Sequence, residues 1–122
     1  MTRGSLTPCP SSPNCVSTLA PAEDSQHAIA PYPYRKSRAE AKEFLKAIVA
    51  RLPRTKLVQE EEDYLRYEFT SLLLRFVDDV EFAFDDASKN IHFRSASRTG
   101  YSDLGVNRRR MEDLRSLLEG KL

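Results

Sequence analysis

The sequence predicts an α+β fold. A four-stranded antiparallel meander is covered on one face by two helices, in the order α-β-β-β-β-α, and a Pro-rich extended arm precedes this two-layer sandwich. Three observations carry the prediction. Apolar residues recur at helical spacing between Ala41 and Leu52. The period then changes to two from Arg54 to Arg98. It returns to the helical value at Met111, Leu114, Leu117 and Leu118.

The first 36 residues form the arm. Six of the seven prolines lie there, at 8, 10, 13, 21, 31 and 33. Each proline fixes its own φ and biases the preceding residue away from helix. Val16, Leu19, Ile29, Tyr32 and Tyr34 give the arm apolar surface to bury. Residues 1–36 are therefore expected to pack as an arm on a single α+β domain formed by residues 37–122. Tyr32-Pro33-Tyr34 is open to two readings, a docking segment or part of that packing. Cys9 and Cys15 are the only cysteines. Their spacing permits a disulfide closing a short loop, and equally two free thiols in a reducing compartment.

Ser37 and Glu40 have the spacing of a capping box, and Ala41, Phe44, Leu45, Ile48, Val49 and Leu52 mark one helical face. Pro53 stops that helix. Strands are expected over 56–62, 64–71, 76–84 and from 90 or 91 to about 98. The run Leu72-Leu73-Leu74 breaks the alternation and reads as a bulge or a short buried connection. In the third strand Phe76, Asp78, Val80, Phe82 and Phe84 share a face. Tyr101 to Leu104 form a turn between Gly100 and Gly105, and Ser102 or Asp103 caps the last helix. That helix buries the stripe from Met111 to Leu118, sets Arg109 against Asp113 and Arg115 against Glu119 on its wet side, and ends at Gly120.

Composition narrows the function. The 122 residues are 40% apolar and 30% charged, with a formal net charge of +1. That balance argues against a nucleic-acid binder, which usually carries a basic excess. No apolar run approaches the length of about 20 residues that crosses a bilayer. Met1 to Leu6 contains no secretion-signal stretch, so the reading is a soluble, cytoplasmic protein unless a targeting segment has been removed. Neither compartment nor oligomeric state is fixed by the sequence.

The stretch from Phe93 to Arg110 holds more polar side chains than a strand and a helix need to fold. Asp78 is the sharpest anomaly, a carboxylate on an apolar strand face that must find a partner or shift its pKa. Arg75, Ser97, Asn107 and Arg108 are its candidate partners. Two readings follow, a buried polar clasp pinning strand to helix or a binding or catalytic pocket. The candidate binding residues are Asp78, Arg94, Ser97, Arg98, Ser102, Asp103, Asn107 and Arg108. The arginines could hold an anion near the amide end of the last helix.

No catalytic set is recognisable. His27 and His92 lack triad neighbours, and His92 reads as a surface residue. Asp79 and Glu81 share a strand face that Asp78 does not, so no metal site is expected, and no cofactor is implied. The leading reading is a non-enzymatic binding or accessory module for a protein partner or a small anionic ligand. A small enzyme using Asp78 as general acid or base is one alternative. A thiol redox sensor through Cys9 and Cys15 is another.

Three blocks carry a resemblance. Residues 13–17 read PNCVS, residues 76–82 read FVDDVEF, and Arg94-Ser95-Ala96-Ser97-Arg98 is followed by Gly100 to Arg110, GYSDLGVNRRR. In this order they resemble the family called domain of unknown function 1499, over about residues 9–118. The resemblance implies that the PNCVS arm belongs to the domain. It implies no activity, substrate, cofactor or catalytic residue.

Overall fold

The computed structural model describes residues 6–100 and 103–122. In chain order the elements are β1 (Cys15–Ser17), β2 (Tyr32–Pro33), α1 (Arg38–Ala50), β3 (Thr55–Glu61), β4 (Tyr64–Thr70), β5 (Val77–Asp85), β6 (Asn90–Ser97) and α2 (Val106–Leu118).

The meander is present, but the sheet is larger than four strands. It has six, in the order β1-β6-β5-β4-β3, with β2 also on β6. The named strands pair antiparallel throughout. The two extra strands come from the arm. β1 pairs residues 94–96 of β6, and β2 pairs residues 90 and 91 on the same free edge. The arm thus covers the edge that β6 would otherwise leave unpaired, which removes a template for aggregation. Strands of three and two residues are too short to show a period, so the sequence did not reveal them.

Both helices pack into one apolar layer. α1 contributes Ala41, Leu45 and Val49, and α2 contributes Met111, Leu114 and Leu118. The sheet answers with Tyr67, Val80, Phe82 and Phe93, among others, and the arm adds Val16, Ile29, Tyr32 and Tyr34 to the same cluster. A fully buried side chain of this size contributes roughly 1.5–3 kcal/mol, so these four arm residues are a substantial anchor. Burial of both tyrosines answers the choice over Tyr32-Pro33-Tyr34 in favour of packing. The Tyr32 hydroxyl donates to the Met111 carbonyl at 2.6 Å, which satisfies it inside the core.

Ser37 and Glu40 form the capping box of α1, with the Glu40 amide donating to Ser37 Oγ and the Ser37 amide to Glu40 Oε1. α2 starts differently. Gly105 occupies its N-cap position at φ 81°, a left-handed conformation that suits glycine. The side-chain cap comes from Asp103, whose Oδ2 accepts the Asn107 amide at 2.9 Å.

Three local expectations fail. Leu72, Leu73 and Leu74 are not buried; they stand exposed on the loop between β4 and β5, and the bulge lies between Leu57 and Gln59 instead. Phe76 falls outside β5 and is also exposed. Leu117 faces water, because the buried stripe of α2 runs through Asn107, Met111, Leu114 and Leu118 at i, i+4, i+7 and i+11.

The opposite sheet face is charged, and the arm partly covers it. Leu6 packs on Tyr64 and Ala83 there. Cys15 is fully buried, and Cys9 is joined to it in a disulfide.

Candidate functional site

β5 and β6 pair in a register that sets Asp78 opposite Ser97 and Val80 opposite Ser95. These side chains share the core face, at the end where it meets the start of α2. Asp78 is buried there. Its partner is Arg110, whose Nη2 lies 2.6 Å from Asp78 Oδ2. None of Arg75, Ser97, Asn107 and Arg108 fills that role. The Arg110 guanidinium lies 5.0 Å from the centre of the Phe69 ring, and Nη1 donates to Asn107 Oδ1 at 2.9 Å and to Ser95 Oγ at 3.2 Å.

Asn107 is the hub of the cluster. It is fully buried. Its Oδ1 accepts from Ser95 Oγ at 2.6 Å as well as from Arg110. Its Nδ2 donates to Asp103 Oδ2 at 2.7 Å, to Ser97 Oγ at 2.9 Å and to the Asn14 carbonyl at 3.3 Å. Burial opposes ionisation of Asp103, but the amides of Asn107 and Gly105 outweigh it and hold its carboxyl below the ordinary value. Asn14 enters from the disulfide loop. Its carbonyl also accepts the Ser97 amide at 3.0 Å, and its Nδ2 donates to the Gly100 carbonyl at 2.8 Å. Arm, sheet and last helix therefore meet in one hydrogen-bonded network with both charges of the ion pair compensated.

Four of the expected residues converge here: Asp78, Ser97, Asp103 and Asn107. Ser102 lies outside the described residues. Arg94 and Arg98 do not join them, because they sit on the opposite sheet face. Arg98 bridges Asp79, at 2.8 Å and 2.9 Å, and Glu68, at 2.7 Å. Hydrogen bonds to Asp79 and then Glu68 push its guanidinium further up from an already high value. Arg94 faces the buried Glu81 at 3.4 Å, and Glu81 accepts from the Tyr64 hydroxyl at 2.8 Å. The buried Arg94 Nε has no partner among the described residues.

Arg108 turns to the arm, and Nη2 donates to the carbonyls of Ser25, Gln26 and Ala28 at 3.4, 3.3 and 2.9 Å. Arg115, two turns further along α2, donates to the Ala30 and Pro31 carbonyls at 2.6 and 3.0 Å and pairs with Glu112 rather than Glu119.

Neither histidine is a bare surface group. His92 is half-buried, with Nδ1 3.0 Å from Thr18 Oγ1. His27 is buried between Asp24 Oδ2 at 2.7 Å and the Ser12 carbonyl at 2.9 Å. The Ser12 carbonyl first and Asp24 next raise its pKa, against burial. Sequence reasoning missed this latch and Arg110 alike. The D-x-x-H spacing of Asp24 and His27 was the available signal for the first. Helical phase was the signal for the second, since Arg110 follows Asn107 by three residues and lies beside the buried stripe.

Among the described residues no three or more His, Cys, Asp or Glu side chains gather to hold a metal ion. Among the described residues no helix is long and apolar enough to cross a membrane. A cleft of about 500 Å³ opens between the arm and the end of α2, lined by Tyr32, Arg35, Arg115, Leu118, Glu119 and Leu122 among others. A smaller one of about 170 Å³ lies beside Leu6, Cys9 and Asp24. No residue lining either cleft belongs to the Asn107 cluster.

The description of a protein family of unknown function, DUF1499, matches residues 5–118. The chain belongs to that family. The match covers nearly its full length, so arm and sandwich fall within one family unit. No curated protein and no solved structure matches this DUF1499 chain. The family assignment brings no activity with it.

Proposed function

We propose that this chain is a non-enzymatic binding module that holds a small anionic ligand with an apolar body. The observation that carries the reading is the 500 Å³ cleft beside α2. That volume falls within the range of small-molecule sites. Tyr32 and Leu118 supply apolar walls, and the charged side chains of the lining are Arg35, Arg115 and Glu119. Arg115 is held in place by the arm carbonyls and Glu112. Arg35 is exposed and is the cation left to meet a ligand. The reading of Asp78 as a general acid or base is weaker, because Arg110 occupies its carboxylate. Titration with benzoate and with octanoate, followed by amide shifts, tests the proposal. Saturable shifts at residues 32–35 and 118–122, lost in Arg35→Glu, are expected. No saturable shift there with either probe would sink it.

A thiol redox sensor is a second reading. The favouring observation is that Asn14, inside the Cys9–Cys15 loop, also holds Asn107 and Ser97. Opening the disulfide to two thiols would release a loop that the last helix depends on. Thiol titration across a glutathione redox series tests it, and the absence of interconversion removes it.

A further inference from the structure

The loop from Ser71 to Phe76 reads SLLLRF and projects from the sheet between β4 and β5. Leu72, Leu73, Leu74 and Phe76 are 62%, 86%, 69% and 53% exposed. Adjacent apolar side chains left this bare are uncommon on a folded domain and mark an interaction site. The loop is shaped rather than slack. The Ser71 amide donates to the Phe76 carbonyl and the Phe76 amide to Ser71 Oγ, both at 2.9 Å. Arg75 holds a left-handed conformation, φ 59°, within it.

Charge at this end is one-sided. Arg75 is in the loop, and Arg54 brackets its base, bonding Thr70 through both its carbonyl and its Nε. Arg51 ends α1 beside it. None of the three has a carboxylate partner among the described residues. The nearby carboxylates are already engaged: Asp78 by Arg110, Asp79 by Arg98 and Arg66, Glu68 by Arg98, and Asp103 by the Gly105 and Asn107 amides. The acidic turns Glu60 to Asp63 and Asp85-Asp86 lie at the opposite ends of the strands. The amide of Arg98 bonds the Val77 carbonyl, so β6 also ends at this end of the sheet.

We propose that this end docks on an anionic lipid surface, with Leu72 to Leu74 entering the headgroup and acyl boundary and Arg51, Arg54 and Arg75 meeting the headgroups. A narrow convex apolar tip fits a fluid medium that closes around it. A second copy would set the same arginines against each other. Apolar insertion and basic attraction are each modest alone and act together.

Flotation with vesicles of phosphatidylcholine alone, and of phosphatidylcholine with an equal part of phosphatidylglycerol, tests this. The chain floats with the mixed vesicles at low salt, less so at high salt, and not with phosphatidylcholine alone. Leu73→Asp lowers binding about tenfold or more, and Arg75→Glu lowers it about tenfold. Both keep the wild-type melting curve, because the side chains are exposed. No flotation with mixed vesicles overturns the proposal. So does binding that is equal on both compositions, or that Leu73→Asp leaves intact. Self-association through the tip in light scattering, without vesicle binding, also overturns it.

Discussion

Arg110 of α2 meets Asp78 of β5 at 2.6 Å, with the guanidinium laid 5.0 Å from the centre of the Phe69 ring and a second nitrogen bonded to Asn107. A strand carboxylate on the core face is thereby neutralised by the first turn of a helix. The same turn carries Asn107, which gathers Ser95, Ser97, Asp103 and the arm carbonyl of Asn14. The bonding capacity of these groups is spent on one another, and the cluster acts as a clasp between three parts of the chain.

Asn107→Ala should be among the most destabilising single changes. It leaves Ser95, Ser97 and Arg110 short of a partner in a buried setting. A loss of about 3 kcal/mol is expected from the orphaned groups. Urea unfolding measures it. A loss under about 1 kcal/mol would mean that water satisfies the cluster readily and that the hub is unimportant.

Reduction of the Cys9–Cys15 disulfide should lower stability by about 2 kcal/mol on the loop-entropy account. Because Asn14 lies in that loop, the loss should spread to the Ser97 and Asn107 amides in hydrogen exchange. Protection unchanged at both amides after complete reduction would separate the loop from the clasp.

Arg108→Ala should loosen the arm without unfolding the sandwich. Its three carbonyl bonds hold residues 25–28. The Ser17 amide, bonded to the His27 carbonyl at 2.8 Å, should exchange about fivefold faster. Amides of β4 and β5 should keep their wild-type rates. Uniform acceleration throughout the chain would show that the arm does not open separately.

The His27 latch gives a pH dependence with a definite sign. Its Nδ1 faces the Asp24 carboxylate and its Nε2 the Ser12 carbonyl, with the Gln26 amide nitrogen a longer 3.1 Å from Nε2, and the two acceptors suit the imidazolium. The Ser12 carbonyl leads in raising its pKa, burial and Arg108 oppose, and Asp24 adds to the rise. A group whose folded pKa is raised stabilises fully below its unfolded value, about 6.5 for histidine, and that stabilisation fades as pH rises through the folded pKa. The urea midpoint should fall between about pH 6 and about pH 8, and His27→Gln should flatten that trend. A wild-type midpoint that rises over this window would contradict the latch.

Much of the sandwich was legible because its signals are local. The capping box at Ser37, the stripe from Ala41 to Val49 and the alternation in β4 to β6 each need only neighbouring residues. Asp78 was legible as an anomaly, since parity put it on the face of Val80 and Phe82. Its partner was not. Arg108, Arg109 and Arg110 are adjacent in sequence, but a helix turns each by about 100°. One goes to the arm, one to solvent and one to Asp78, and only the placement of α2 decides which. The arm strands were hidden by their brevity, and their pairing is defined by β6, more than 50 residues away. Leu72 to Leu74 misled because apolar composition normally means burial, a rule that an exposed docking loop breaks.

The double-mutant cycle between Asp78→Leu and Arg110→Met tests most directly whether this cluster is a clasp. Urea unfolding of the two single variants and the pair gives the coupling. Each single change strands a buried charge and should cost about 3 kcal/mol or more, while the double change should cost less than their sum by about 2 kcal/mol. Single variants as stable as the wild type, or more stable, would contradict the clasp and reopen Asp78 as a group held in place for chemistry.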